Sequence, residues 1–134
     1  MQSIAATPHP SSPGEVPRVV IVDDDPAVCN SLKFSLELEG FRVRAYGGAA
    51  ELFDGADLVS CDCFVIDQRM PGMSGLDLIS KLRELKVQKP VILFVSHPNS
   101  AVSARAARAE VPIVEKPLIG NALVDTIRRA CGPK

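Results

Sequence analysis

Three consecutive carboxylates, Asp23 to Asp25, follow directly on the apolar run VVIV. A second largely apolar segment, CDCFVID (61–67), also ends on a carboxylate, Asp67. A hydroxyl group, that of Ser96, and an ammonium group, that of Lys116, each follow a later apolar segment. Carboxylate oxygens are the ligands that Mg²⁺ prefers, and a lysine offers a compact positive charge to a phosphoryl group. These residue types together indicate metal-assisted phosphoryl chemistry.

The spacing of apolar residues predicts strands that alternate with helices. Short continuous apolar runs are typical of strands buried on both faces, and a repeat of three or four residues is typical of helices. The predicted strands are 18–22, 41–46, 61–67, 90–96 and 111–117, and the predicted helices are 26–39, 47–57, 76–86, 99–110 and 121–132. Regular alternation favours an α/β domain, doubly wound, with a five-stranded parallel sheet and helices on both faces.

Several helix boundaries and faces follow from local signals. Asp25 before a proline is typical of an N-cap, although Asp25 as a fourth residue of the acidic site is the alternative. Gly40 is expected to end the same helix. The residues predicted to face inward from two other helices are Leu52, Phe53 and Ala56, and Leu78, Ile79, Leu82 and Leu85.

A parallel sheet determines where the reactive groups lie. The carboxyl ends of parallel strands share one edge, and ligands of such sheets bind beyond that edge, near the point where the strand order reverses. Each reactive residue follows or ends a predicted strand. We therefore expect one site that contains Asp23, Asp24, Asp67, Ser96 and Lys116.

Four motifs in this order resemble the receiver domain of bacterial two-component response regulators. They are VDDD, IDQRMPGMSG, FVS and EKP, and the resemblance covers about Arg18 to Cys131. It implies a flavodoxin-like (βα)5 fold over residues 18–131 and a phosphoacceptor signalling function, with no enzyme activity beyond its own phosphorylation and dephosphorylation. Residues 1–17, rich in Pro, Ser and Ala, are predicted to form a flexible tail, and 132–134 the C-terminal end.

The same resemblance implies the role of each site residue. Asp67 would be the phosphoacceptor, with a sensor histidine kinase or a histidine phosphotransfer protein as the donor. Lys116 would pair with the phosphoryl oxygens, and Ser96 would close on them after transfer. The implied Mg²⁺ ligands are Asp24, Asp67 and the backbone carbonyl of Arg69, with Asp23 acting through a bound water.

Part of the chain departs from the family pattern. Ser96 stands where threonine is more common, His97 where a small residue is usual, and Ile113 where an aromatic residue is common. The 97–113 segment is also shorter than usual. The imidazole of His97 either restricts access to the acceptor or points into solvent, and the output mechanism is expected to be atypical.

These departures keep a second function open, that of a pseudo-receiver that binds partners without phosphorylation. A phosphatase of the haloacid-dehalogenase type needs an acidic residue two positions after the nucleophile, and Arg69 stands there instead.

About 18 residues follow Lys116, enough for one helix, which predicts a single-domain regulator or a domain cut from a longer chain. The resemblance implies an unnamed protein target and a possible homodimer.

Charge, hydropathy and cysteine spacing exclude several other classes of protein function. A formal net charge of −1 argues against direct binding of nucleic acid, and no apolar run has membrane-spanning length, so a cytoplasmic location is expected. The cysteines are Cys29, Cys61, Cys63 and Cys131. They lack the spacing of a zinc site and are interpreted as buried or half-buried thiols rather than redox groups. Cys61 and Cys63 are expected to face the same side of a strand.

Overall fold

Ten elements make up the fold in a computed structural model, which describes residues 16–55, 58–116 and 122–131. The strands are β1 (Arg18–Val22), β2 (Arg42–Tyr46), β3 (Cys63–Asp67), β4 (Val91–Val95) and β5 (Ile113–Glu115). The helices are α1 (Pro26–Leu38), α2 (Ala49–Gly55), α3 (Gly75–Glu84), α4 (Ser100–Arg108) and α5 (Ala122–Cys131). Each predicted strand and helix is present, and most are shorter at their ends than predicted.

The five strands form one parallel sheet in the order β2-β1-β3-β4-β5. The chain passes from β1 outward to β2, then returns to place β3 on the other side of β1. The strand order therefore reverses between β1 and β3, where Val22 is the register partner of Ile66. This arrangement confirms the predicted doubly wound fold and puts a crevice beyond the carboxyl ends of those two strands.

Two apolar layers cover the two faces of the sheet. One layer packs α2, α3 and α4 against the sheet through residues such as Leu52, Leu78 and Ala106. The other packs α1 and α5 through residues such as Leu36 and Ile127. Strands β3 and β4 are buried along their whole length, as their continuous apolar runs predicted, because helices cover both of their faces.

The start of α1 resolves the alternative for Asp25. Its side-chain Oδ1 accepts a hydrogen bond from the backbone N–H of Ala27 at 2.9 Å, and Pro26 occupies the first turn. Asp25 is therefore the N-cap of α1. At the other end, Gly40 has a φ of +99°, a left-handed conformation that glycine adopts without the strain of a side chain.

Two predictions about individual side chains are wrong. Leu85 is 50% exposed, because α3 ends at Glu84 and Leu85 caps it before Lys86 turns the chain at a φ of +67°. Cys61 and Cys63 lie in opposite apolar layers, because β3 begins only at Cys63 and the strand alternation does not extend back to Cys61.

Some predictions fall on residues outside the described ranges. These are most of the N-terminal tail, the inward face of Ala56, the helix stop at Gly132 and the end at 132–134. The last two residues of the predicted tail are described, and the carbonyl oxygen of Pro17 accepts a hydrogen bond from the N–H of Arg42 at 2.9 Å. No helix in the described ranges is long and apolar enough to cross a membrane.

Candidate functional site

Three carboxylates converge in the crevice between β1 and β3. Asp23 follows β1, and Asp67 is the last residue of β3. One carboxylate oxygen from each of Asp23, Asp24 and Asp67 lies within 4.8 Å of the other two. Asp23 and Asp67 are buried, whereas Asp24 is exposed to solvent. Hard oxygen ligands that share one pocket and keep one open side suit Mg²⁺, which retains part of its hydration shell.

Local hydrogen bonds fix the direction of the Asp23 side chain. Its backbone N–H donates to the carbonyl oxygen of Tyr46 at 3.0 Å and so extends the pairing of β1 with β2. Its Oδ1 accepts from the backbone N–H of Asp25 at 2.9 Å, and its carbonyl oxygen accepts from the Cys29 thiol at 3.2 Å. The acidic run therefore divides into two residues that face the crevice and one that starts α1.

Lys116 reaches the same crevice from the end of β5. Its Nζ lies 2.9 Å from Oδ1 of Asp67 and 3.2 Å from Oδ2 of Asp23. The backbone N–H of Lys116 donates to the carbonyl of Val95 at 2.9 Å, and the ammonium group lies 5.3 Å from the centre of the Phe94 ring. Strand pairing and the aromatic ring together hold one positive charge between two buried negative charges.

The pKa shifts of Asp67 and Lys116 reflect burial and the charges that these two residues place beside each other. Burial and the charges of Asp23 and Asp24 raise the pKa of Asp67, although the hydrogen bond and charge of Lys116 oppose this. Burial by itself would lower the pKa of Lys116, but its bonds to Asp67 and Asp23 outweigh burial and raise that pKa. One lysine faces several carboxylates, so a divalent cation would relieve the remaining repulsion.

The other predicted site residues lie around this centre. Ser96 follows β4 and is exposed, and with His97, Phe94 and Lys116 it lines an open cavity of about 670 Å³ between the site and α1. Arg69 is exposed two residues after Asp67, and its carbonyl as a metal ligand stays a prediction. The structure therefore brings Asp23, Asp24, Asp67 and Lys116 together and places Ser96 at the mouth of the site.

Two residues that position Asp67 were missed by the sequence reasoning. The backbone N–H of Gly75 donates to the carbonyl oxygen of Gln68 at 3.0 Å, and the Gln68 side chain accepts from the N–H of Leu76 at 2.9 Å. These bonds hold the start of α3 against the end of β3. A Cβ atom at Gly75 would lie 2.5 Å from the carbonyl oxygen of Asp67. The only sequence signal was a glycine in a segment that otherwise indicated a turn.

Replacing Gly75 with alanine is expected to destabilise the domain by about 2 kcal/mol, because the added methyl group forces α3 away from a fully packed strand end. Urea unfolding followed by circular dichroism measures this. Gly47→Ala is the matched control, since a Cβ there meets only the Glu51 carboxylate at an ordinary 3.7 Å. Equal midpoints for Gly75→Ala and the wild type would contradict the close packing at Asp67.

Fold and site together define a class: a flavodoxin-like α/β domain with an acidic cluster and a lysine at the carboxyl edge of its sheet. Residues 19–128 match the family described as the response regulator receiver domain. The chain belongs to this family, the receiver domains of two-component systems. This confirms the resemblance drawn from the four motifs, and no enzyme family is indicated.

Curated relatives support the assignment. The transcriptional regulatory protein FixJ of Rhizobium meliloti (strain 1021) is 35% identical over 113 residues, which cover 84% of this chain and 55% of FixJ. The response regulator protein TmoT of Ectopseudomonas mendocina is 34% identical over 113 residues, which cover 84% of this chain and 51% of TmoT. The chain thus spans about half the length of these relatives.

Solved structures show the same fold. The crystal structure of FixJ-N has a TM-score of 0.79 and 33% identity, with 87% of this chain and 94% of that chain covered. The response regulator TrrA of Thermotoga maritima, solved in complex with Mg²⁺-BeF, has a TM-score of 0.76 and 23% identity over 86% of this chain and 99% of that chain. The latter likeness supports the fold alone.

Proposed function

We propose that this receiver domain is phosphorylated on Asp67 by the phosphohistidine of a sensor histidine kinase or a histidine phosphotransfer protein. The observation that carries this proposal is the bridge from the Lys116 ammonium group to Asp67 and Asp23. Beside that bridge lies the exposed carboxylate of Asp24. A buried nucleophile, a fixed cation and an open acidic position are the parts that phosphoryl transfer to a carboxylate requires.

Each residue has a defined part in the transfer. A carboxylate oxygen of Asp67 attacks phosphorus as the bond from phosphorus to the donor nitrogen breaks. Lys116 binds an oxygen of the arriving phosphoryl group, and the Ser96 hydroxyl donates a hydrogen bond to it once it is attached. Asp24, Asp67 and the Arg69 carbonyl would hold Mg²⁺, with Asp23 acting through water. When bound, Mg²⁺ supplies charge that offsets the repulsion between the anions.

The direct test is to incubate the protein with Mg²⁺ and acetyl phosphate and to record its intact mass. A gain of one phosphoryl group that requires Mg²⁺ is expected, because the clustered carboxylates of Asp23, Asp24 and Asp67 would otherwise repel the arriving anion. The site variant Asp24→Asn is expected to raise the Mg²⁺ concentration needed. No mass gain, together with no change in the NMR spectrum on adding Mg²⁺ and beryllofluoride, would favour the pseudo-receiver instead.

His97 is expected to slow access to Asp67. It is exposed and lines the same cavity as Ser96 and Lys116, so a ring turned towards that cavity would narrow the approach to the site. His97→Ala should raise the rate of phosphorylation by acetyl phosphate several-fold, measured by mass spectrometry over time. His97→Asn, which keeps a side chain of intermediate size, should fall between the two. Equal rates for all three proteins would show that the imidazole points away from the path of the donor.

The phosphorylated form would act through protein–protein contacts. We propose a downstream protein target in the cytoplasm, without direct binding to nucleic acid, and a homodimer as one possible form of the output. Phosphoryl oxygens beside Ser96 would change the end of β4 and the start of α4, because the hydroxyl is drawn towards the new charge. The target would therefore contact the face that contains α4.

A further inference from the structure

Two large apolar side chains of α1 face solvent. Phe34 is 66% exposed and Leu38 is 72% exposed. The residues that α1 buries against the sheet are Cys29, Leu32 and Leu36. At 3.6 residues per turn, positions 34 and 38 lie on the opposite side of the helix from these buried residues, one turn apart from each other. They therefore form one apolar patch that the core of this domain does not use.

Two small residues extend this patch towards the start of the helix. Ala27 and Ser31 are exposed and complete the series 27, 31, 34 and 38. Its steps of four, three and four residues are those of a coiled-coil seam. We call these four residues the α1 seam. Its first half carries small side chains and its second half carries large ones, so it fits a helix that presents the reverse order of sizes.

A second copy of α1 that runs antiparallel to the first presents this reverse order. With the two seams aligned, Leu38 of the second copy lies over Ala27. Phe34 of the second copy lies over Ser31, and symmetry repeats both contacts in the other half of the seam. Each large side chain then meets a small one, as close packing between two helices requires. The outer face of α1 is therefore complementary to itself.

The polar groups around the seam also favour the antiparallel pair. On one margin, Asn30 lies beside Glu37 of the second copy, so an amide group meets a carboxylate. At each end, the acidic start of one α1, which Asp25 caps, meets the end of the other α1. There the Arg128 guanidinium group donates to the carbonyl and the carboxylate of Glu39, at 3.2 and 3.3 Å. A parallel pair would instead bring the two acidic starts together.

We propose that two copies of this chain associate through the α1 seam, antiparallel and related by a two-fold axis. Such a contact closes on itself, so it gives a dimer and no larger assembly. Four seam residues and their margins bury roughly 900 Å² in total, below the area of about 1,200 Å² at which stable interfaces begin. The dimer should therefore be weak and reversible, with a dissociation constant on the order of 100 µM.

The dimer would cover part of the approach to the acidic site. Ala27 and Ser31 line the cavity that Ser96 and Lys116 also line. Leu38 of the second copy, placed over Ala27, would narrow that cavity. This step rests on the proposed function: the dimer should accept a phosphoryl group from a small donor more slowly than the single chain does.

The test is sedimentation velocity of the full chain, with a reductant present, between roughly 10 µM and 1 mM. The wild-type protein should pass from monomer to dimer over this range, whereas Leu38→Glu should stay monomeric. The matched control is Leu85→Glu, which changes a leucine that is 50% exposed outside the seam and should associate as the wild type does. A wild-type protein that stays monomeric would overturn the proposal and leave the face to a partner protein or to residues 1–15.

A charge pair tests the antiparallel alignment. Ala27→Lys alone should stay monomeric, like Leu38→Glu alone. The double variant Ala27→Lys, Leu38→Glu should associate again, because the introduced lysine of each copy meets the introduced glutamate of the other. In a parallel pair the introduced charges would meet their own kind, so a monomeric double variant would overturn the alignment. Circular dichroism checks that each variant is folded.

The effect on the acidic site has a separate readout. With acetyl phosphate and Mg²⁺, the rate of phosphorylation per wild-type chain should fall several-fold as the concentration of protein rises through the association midpoint. The rate for Leu38→Glu should not change. A dimer whose rate is independent of concentration would show that the contact leaves the site open. Sedimentation decides the contact itself even if Asp67 is not phosphorylated, so the two proposals fail separately.

Discussion

Asp67→Asn is expected to take up no phosphoryl group from acetyl phosphate in Mg²⁺, while the wild-type protein gains one. The amide has no anionic oxygen with which to attack phosphorus, and it is a poorer ligand for a hard cation. The substitution keeps the shape of the side chain at the end of β3. It also removes the buried carboxyl group itself, whose pKa is raised by burial and by the charges of Asp23 and Asp24. The folded state should therefore persist, and circular dichroism checks this.

The acidic run supplies a matched control for this experiment. Asp25 is three residues from the end of β1, but its side chain caps α1 and does not belong to the acidic cluster. Asparagine is as good an N-cap as aspartate, so Asp25→Asn should fold and be phosphorylated at the wild-type rate. A phosphoryl group on Asp67→Asn would place the acceptor elsewhere. Loss of phosphorylation in Asp25→Asn would contradict the division of the acidic run.

Lys116→Met is expected to lower the free energy of unfolding by about 2 kcal/mol in buffer without Mg²⁺. Removing one partner of a buried ion pair leaves uncompensated charge, a large cost that is reduced here because the Lys116 side chain is 20% exposed. Asp23 and Asp67 would then repel each other with no cation between them. Mg²⁺ should restore part of the loss and should bind more tightly than in the wild-type protein. Urea titrations with and without Mg²⁺ measure both effects.

An exposed lysine serves as the control for Lys116→Met. It shows how much stability is lost when a lysine charge is removed outside the acidic site. Lys33 pairs with Glu37 at 2.8 Å on the surface of α1, where both side chains are nearly half exposed. Lys33→Met is expected to change stability by at most about 0.5 kcal/mol, with no dependence on Mg²⁺. If Lys116→Met is as stable as the wild type without Mg²⁺, the ammonium group does not balance the buried carboxylates. If Mg²⁺ has no effect on that variant, the loss is one of packing.

Most of the fold could be predicted because it depends on short-range patterns. The continuous apolar runs of β3 and β4 reflect burial on both faces, and alternation with helices leaves a parallel sheet as the favoured arrangement. The two wrong predictions about side chains concern residues just beyond the ends of these elements. Leu85 continues the helical spacing but follows the last residue of α3, and Cys61 continues the strand alternation but precedes β3. Apolar spacing carries little information about where an element stops.

The sequence by itself determined which residues stand at the strand ends, because an apolar run followed by a carboxylate can be recognised without knowledge of the structure. It also indicated the cap at Asp25. Only the tertiary structure decided that Lys116, 93 positions after Asp23, bridges that residue and Asp67. Only the tertiary structure also decided that Gly75 packs closely against the Asp67 backbone. Such contacts depend on how helices pack on the sheet to within an ångström, and spacing along a chain does not encode that packing.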